Sequence, residues 1–234
     1  MSLHDSLSRN GYAIVPEVLP PAAVDELASA VVAIQPTAAA REKNQRLYAL
    51  RNLLTLLPSV HALACSARLL SLVEPELGPG VHCVRGLLFD KNPGANWKVA
   101  WHQDLSIAVR QRFEVPGFGP WSVKAGVQHV QPPADVLADM LTVRLHLDDC
   151  GMDNGPLQVL PGSHAAGVLS PAALRHWREQ VRPMTCCVPA GGALLMRPLI
   201  LHASSAARSP RHRRVIHLEY ADGDLPGGLE WAAD

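Results

Sequence analysis

The chain reads as a mainly β protein with flanking α-helices, and three observations predict this. Helical spacing of apolar residues is largely confined to the segment from about 20 to 78. From Val81 onward, short runs rich in β-branched and apolar residues alternate with turn signals. The 234 residues suit one domain, long enough to bury a substantial core. Helices first and many short strands afterwards imply an antiparallel β-core, sandwich- or barrel-like, with the N-terminal helices packed on one sheet.

Taken in order, GYAIVPEVL at residues 11–19 predicts a short strand entering a turn at Pro20-Pro21. A helix follows from Ala22 to Ile34, with Val24, Leu27, Ala28, Val31 and Val32 on its apolar side. Leu47–Leu57 and Ser59–Leu77 also read as helices, the second closed by Gly78-Pro79-Gly80. The β-core, about 81–221, consists of VHCVRGLLFDK, WKVAWHQDLSIAV, MLTVRLHLDD, GPLQVLPGSH, MTCCVPAGGALLMR and RVIHLEY, separated by NPG, DNGP, PGS and AGG turns. A helix at Pro171–Gln180 interrupts the strands. An insert at about 105–139 carries a segment, Arg110–Asp139, that fits no regular element. Its Gly, Pro and aromatic content predicts a packed lid or binding loop.

Composition narrows the function classes. Lys plus Arg equals Asp plus Glu, 21 each, so global charge argues for neither nucleic acid nor an anionic membrane surface. The basic cluster RSPRHRR at 208–214 is short, and one buried arginine among solvated neighbours explains it better than a phosphate patch. MSLHDSLSRNGYAIV lacks the basic-then-apolar layout of a signal peptide, and no run reaches the roughly 18 apolar residues of a membrane span. The expected location is cytoplasmic. Cys65, Cys83, Cys150, Cys186 and Cys187 form no C-x-x-C pair and read as reduced thiols; Cys186 and Cys187 are expected to be buried small hydrophobes.

The chemistry-bearing signal is AWHQD. In a strand, residues i and i+2 share a face, so His102 and Asp104 aim an imidazole and a carboxylate at one point. Two histidines and one carboxylate on one face of an octahedral ion leave three positions open, the arrangement of non-haem Fe(II) oxygenases. His146, His164, His202 and His217 all stand in later strands or turns that could supply the second histidine. His202 has the best position, ending a strand that enters from a Gly-Gly turn. Arg213-Arg214 follows at the start of the next strand, and an arginine is the bidentate partner that an anionic co-substrate requires.

WHQD, then RLHLDD with NGPLQVLPGSH, then HAS and RRVIHLEY, in that order, resemble the phytanoyl-CoA dioxygenase family over most of the chain. The resemblance implies a double-stranded β-helix (jelly-roll, cupin-like) core and an Fe(II)- and 2-oxoglutarate-dependent oxygenase that uses O2. It implies His102, Asp104 and His202 as iron ligands and Arg213 as the arginine holding 2-oxoglutarate, with Arg214 the alternative. Arg144 is a further candidate for 2-oxoglutarate or an acidic substrate, at even weight with an outer-sheet salt bridge. Hydroxylation of a small organic molecule, with release of succinate and CO2, is the implied reaction. A non-catalytic jelly-roll that binds a metal or small acid is one alternative, and a Zn(II) hydrolase a weaker one.

The remaining features carry blander expectations. His164 is read as structural, capping its turn or binding a backbone carbonyl, Asp148-Asp149 as a strand end satisfying loop amides, Asn154-Gly155 as a turn without chemistry, and Lys91 as a solvated strand end. Trp97 and Trp101 are expected to pack beneath the HQD strand, while Trp121 and Lys124 belong to the proposed lid as candidate substrate contacts. No Gly-rich phosphate cradle appears, and substrate identity and oligomeric state are not legible in the chain.

Overall fold

The computed structural model describes residues 2–34, 40–43 and 46–232, without the side chains of 41–47. The chain opens with α1 (Leu3–Asn10), capped by Ser2, whose hydroxyl accepts from the Asp5 amide while the Asp5 carboxylate accepts from the Ser2 amide. It continues through β1 (Tyr12–Val15) and α2 (Pro21–Val32), which starts on a proline at its first turn. Next come β2 (Ala40–Lys43), β3 (Arg46–Leu50) and α3 (Leu53–Leu56). Two helices, α4 (Pro58–Ala64) and α5 (Ala67–Leu77), lead into β4 (Val81–Lys91).

Two helical expectations change here. Leu47–Leu57 is not one helix, because its first part pairs with the long β4, Ala49 against Phe89 and Leu50 against Leu88. The chain then turns at Asn52, whose φ of 57° is left-handed, before the short α3. Ser59–Leu77 is two helices rather than one. Ser66 ends the first by donating to the Leu63 carbonyl and caps the second by accepting from the Leu69 amide.

Beyond β4 lie β5 (Val99–His102), β6 (Ile107–Val109), β7 (Trp121–Lys124), β8 (Val127–Val130) and α6 (Ala134–Ala138). The segment that fits no regular element in the sequence is thus a hairpin followed by a short helix. After it come β9 (Met140–His146), β10 (Leu157–Val159), α7 (Pro171–Gln180), β11 (Met184–Cys186), β12 (Ala193–Met196), β13 (His202–Ser204) and β14 (Arg213–Asp222).

Every strand pairing in the sheets is antiparallel. A seven-stranded sheet runs β1-β12-β9-β14-β4-β3-β2, a four-stranded sheet runs β11-β10-β13-β5, and β6-β8-β7 form a third. The fold is the mainly β jelly-roll with flanking helices. None of the helices among the described residues is long and apolar enough to cross a membrane.

The alternation of β9 and β14 separates a greasy face from a chemical one. Leu141, Val143 and Leu145 of β9, with Ile216, Leu218 and Tyr220 of β14, join Leu53, Val60, Leu69 and Val73 of the helices in one buried cluster. Burial of each leucine contributes about 2 kcal/mol, so this face fixes which way both strands are turned. The Tyr220 hydroxyl, buried with it, donates to the Ala64 carbonyl at 3.0 Å. The opposite face is left with Thr142, Arg144 and His146 on β9 and with Arg213, Val215, His217 and Glu219 on β14. On β4 the matching residues are Arg85, Leu87, Phe89 and Lys91, each directly opposite its β14 partner.

Candidate metal centre

His102 and His202 face each other across the β5–β13 pairing, with ring centroids 4.1 Å apart. Gln103 points the other way and fastens the strand exit. Its amide nitrogen donates to the Leu199 carbonyl at 2.6 Å and the Gly167 carbonyl at 2.8 Å, and its oxygen accepts from the Leu169 amide at 2.8 Å. The Asp104 amide donates to the Pro198 carbonyl at 3.0 Å. These bonds return the Asp104 carboxylate to the same side as His102.

One nitrogen from each histidine and one Asp104 oxygen lie within 4.8 Å of one another, the one such His/Cys/Asp/Glu group among the described residues. The tautomers follow from the acceptors. Nδ1 of His102 donates to the Ala100 carbonyl at 2.8 Å, and Nδ1 of His202 donates to the Ile200 carbonyl at 2.9 Å. In a neutral imidazole the other nitrogen then carries a lone pair. Those two Nε2 atoms face the Asp104 oxygens at 3.7 and 3.6 Å, too far for hydrogen bonds. Two lone pairs and a carboxylate turned toward one point, with no proton to share, suit a divalent cation. Burial pushes His202 down to about 4, keeping its ring neutral. For Asp104, burial acts upward, but His202, His217, His102 and Arg144 together outweigh it and hold the carboxyl at about 2.

The cluster opens on a cavity of about 260 Å³. Arg213 lines it at one end, buried, one terminal nitrogen donating to the Gly155 carbonyl while Nε has no partner among the described residues. Arg214 is turned away: it grips Asp148 through Nε at 2.9 Å and NH2 at 2.6 Å. The one-residue alternative therefore falls on the wrong face, and Asp148 is its counter-ion rather than only a partner for loop amides. Arg144 lines the cavity and donates to His217 Nδ1 at 2.7 Å, so it is no outer-sheet ion pair.

Several bland expectations need correction. Lys91 is 1% exposed, not solvated, and its Nζ donates to Ser204 Oγ at 2.6 Å and the Ser205 carbonyl at 2.5 Å. Gly155 belongs to the site through its bond to Arg213; its φ of +62° is left-handed, and a Cβ there would lie 2.8 Å from the Ser205 carbonyl. Trp97 lines the cavity, edge-on to Tyr48 at 5.2 Å, instead of packing beneath the strand. Cys187 is exposed, just past the end of β11, while Cys186 is buried. Lys124 lines the cavity, whereas Trp121 packs with Ile107, Val109 and Val130 in a separate cluster. They are three positions apart, which puts them on opposite faces of β7. His164 does not cap its own turn but bonds a distant backbone carbonyl, that of Ser8, at 3.2 Å.

Sequence reasoning passed over Arg85 and Glu219, which both line the cavity. Their signal was parity: Glu219 lies an even number of residues from Arg213, and Arg85 an even number from Lys91. His217, one of the open candidates for the metal, instead lies 3.2 Å from Glu219 through Nε2.

The model of the phytanoyl-CoA dioxygenase (PhyH) family matches residues 7–215. L-proline trans-4-hydroxylase of Streptomyces griseoviridis is 27% identical over 180 residues, covering 65% of this chain and 59% of the hydroxylase, so the chain spans less than two thirds of that relative. Among solved structures, AviO1 of Streptomyces viridochromogenes Tue57 superposes with a TM-score of 0.69 at 23% identity, covering 95% of this chain and 94% of its own. EctD of S. alaskensis with 2-oxoglutarate and 5-hydroxyectoine reaches 0.73 at 18% identity, over 95% and 76%. At these identities the structures speak for the fold, while the family model covers most of the sequence. The chain belongs to the phytanoyl-CoA dioxygenase family.

Proposed function

We propose that the protein is an Fe(II)- and 2-oxoglutarate-dependent oxygenase that hydroxylates a small organic substrate. The observation that carries this reading is the convergence of the two Nε2 lone pairs and the Asp104 carboxylate on one point beside a cavity. His102, Asp104 and His202 would hold the iron, an N/N/O donor set with room for further ligands. Ferrous iron with 2-oxoglutarate, when bound, supplies the O2 activation that oxidises an unactivated C–H bond with release of succinate and CO2.

The chain's own residues bind and orient. The Nε of Arg213, without a partner among the described residues, is a buried donor in want of an acceptor, and the far carboxylate of 2-oxoglutarate would provide one. Lys91, across the strand pair from Arg213, holds Ser204 and Ser205 and so braces the strand that begins with His202. Arg144, fixed by His217 and lying over the Phe89 ring at 5.7 Å, adds positive charge felt by both Arg213 and Asp104. The cavity's size suits a small molecule, as do the proline hydroxylase among the relatives and the 5-hydroxyectoine bound to EctD.

Anaerobic addition of Fe(II) and 2-oxoglutarate tests this. The expected result is a visible metal-to-ligand charge-transfer absorption, followed on admitting O2 by succinate release. Absence of both overturns the oxygenase reading; activity with Zn(II) that needs neither O2 nor 2-oxoglutarate would establish a hydrolase instead.

A further inference from the structure

The cavity carries more positive charge than the proposed cofactors absorb. Among the described residues, and without counting Arg51, it is lined by Arg85, Lys124, Arg144 and Arg213, against Asp104 and Glu219. A ferrous ion and a 2-oxoglutarate dianion cancel each other, so loading the site leaves the excess in place. Uncompensated charge in a half-enclosed cavity is costly unless a ligand balances it.

The excess sits at a definite place. Arg213 and Glu219 are six residues apart on β14, roughly 20 Å along the strand at about 3.4 Å per residue. Glu219 is directly opposite Arg85 of β4. Arg85 uses a single terminal nitrogen for all its hydrogen bonds among the described residues: to the Glu219 oxygens at 3.0 and 3.3 Å and to the Ser106 carbonyl at 3.4 Å. Its Nε and second terminal nitrogen remain for a ligand. Glu219 is committed, being held by Arg85 and His217, and both keep its carboxyl below its usual range against the opposing effect of burial. Lys124 reaches in from β7 and donates to Ser106 Oγ at 2.9 Å; it forms no ion pair among the described residues. Burial, then Arg85 and Arg51, lower its ammonium against the smaller opposing effects of Glu219 and Asp104.

Resting on the oxygenase reading, we propose that the substrate is a small carboxylic acid whose carboxylate docks between Lys124 Nζ and the unused nitrogens of Arg85, beside the Ser106 hydroxyl, at the end of the cavity away from Arg213. The two ends then divide the work: one clamps the co-substrate and the other anchors the substrate. The anchor fixes which C–H bond of the substrate is presented to the metal centre.

Matched acid and amide probes test this on the protein loaded anaerobically with Fe(II) and 2-oxoglutarate, whose charge-transfer absorption reports an intact metal site. Cyclohexanecarboxylate, 3-phenylpropionate and N-acetylproline are each titrated beside their carboxamides, by calorimetry and by perturbation of that absorption. At least one acid is expected to bind about tenfold or more tightly than its amide without displacing 2-oxoglutarate. Lys124→Met should bring that ratio to within about twofold, and Lys124→Arg should preserve it. Amides binding as well as acids, no acid binding, or an unchanged ratio in Lys124→Met each overturn the anchor while the absorption band stands. Failure of the band to form removes the oxygenase reading, and this proposal with it.

Discussion

At one end of the cavity stands Arg213, with Lys91 opposite it on the adjacent core strand and behind the lining; at the other, Arg85 and Glu219 face each other across the same two strands but share their site with Lys124 from a separate hairpin. The first end is buried, and its cations are tied to backbone carbonyls of Gly155 and Ser205. The second end is braced by side chains, and one of its members comes from the β7–β8 hairpin rather than from the core sheet. A site built wholly on one sheet has its geometry set by strand register, which suits a ligand that never changes. One completed by an inserted hairpin can be retuned without disturbing the core, which suits a ligand that differs between relatives.

The most drastic way to break this comparison is to remove the point from which both ends are measured. Asp104→Ala or His202→Ala should lower succinate formation by more than about 100-fold, since even outer-shell changes at metal sites cost 10- to 100-fold. Near-normal succinate release from Asp104→Ala would count against its role as a ligand. Next, Arg213→Leu should raise the 2-oxoglutarate KM by about 30-fold or more, the scale for losing a buried charge-assisted contact. The neighbouring Arg214→Leu should leave that KM within about twofold and cost about 1 kcal/mol of stability, measured by urea unfolding, because it loses the half-buried pair with Asp148 and a long bond to the Ala28 carbonyl. Equal effects on KM at the two positions would dissolve the distinction between the faces.

A smaller effect probes the strand exit. Gln103→Leu removes three hydrogen bonds to backbone without touching the cluster, and should weaken Fe(II) affinity by about tenfold in an anaerobic titration. Unaltered affinity would mean that the turn holds Asp104 unaided.

The subtlest test concerns Lys91. Burial first, and Arg213 second, push its ammonium from 10.5 down to about 7. Between those values the unfolded chain binds a proton that the folded chain has released, so stability rises with pH across that window and is flat, for this group, below it. Lys91→Met should abolish the rise. Urea midpoints compared at about pH 7 and about pH 9.5 should show the wild-type protein gaining on the variant; parallel behaviour would show that Lys91 keeps its proton.

Much of the site was legible before any coordinates, and the illegible part has a common cause. His102 and Asp104 share a face because a strand alternates, and Gln103 between them must then point away. The same alternation in RRVIHLEY groups Arg213 with His217 and Glu219. Yet parity does not say which group faces inward. That was decided when Ile216, Leu218 and Tyr220 packed against the helices. Lys91 looked solvated because it ends an apolar run, and only pairing with Arg213 places it inside. Residues 47–50 carried enough apolar side chains to suit a helix, but the open edge of β4 captured them as a strand.

The sequence by itself determined local relations: which residues share a face, where turns break the strands, and that an H-x-D pair would aim an imidazole and a carboxylate at one point. These follow from backbone geometry over a few residues. The tertiary structure alone decided which distant histidine stands across from His102, which of two adjacent arginines enters the cavity, and that Arg85, Glu219 and Lys124 meet at its far end. Those outcomes depend on strand pairings between residues up to more than a hundred positions apart, and on burial of the greasy face, which fixes the orientation of everything on the other side.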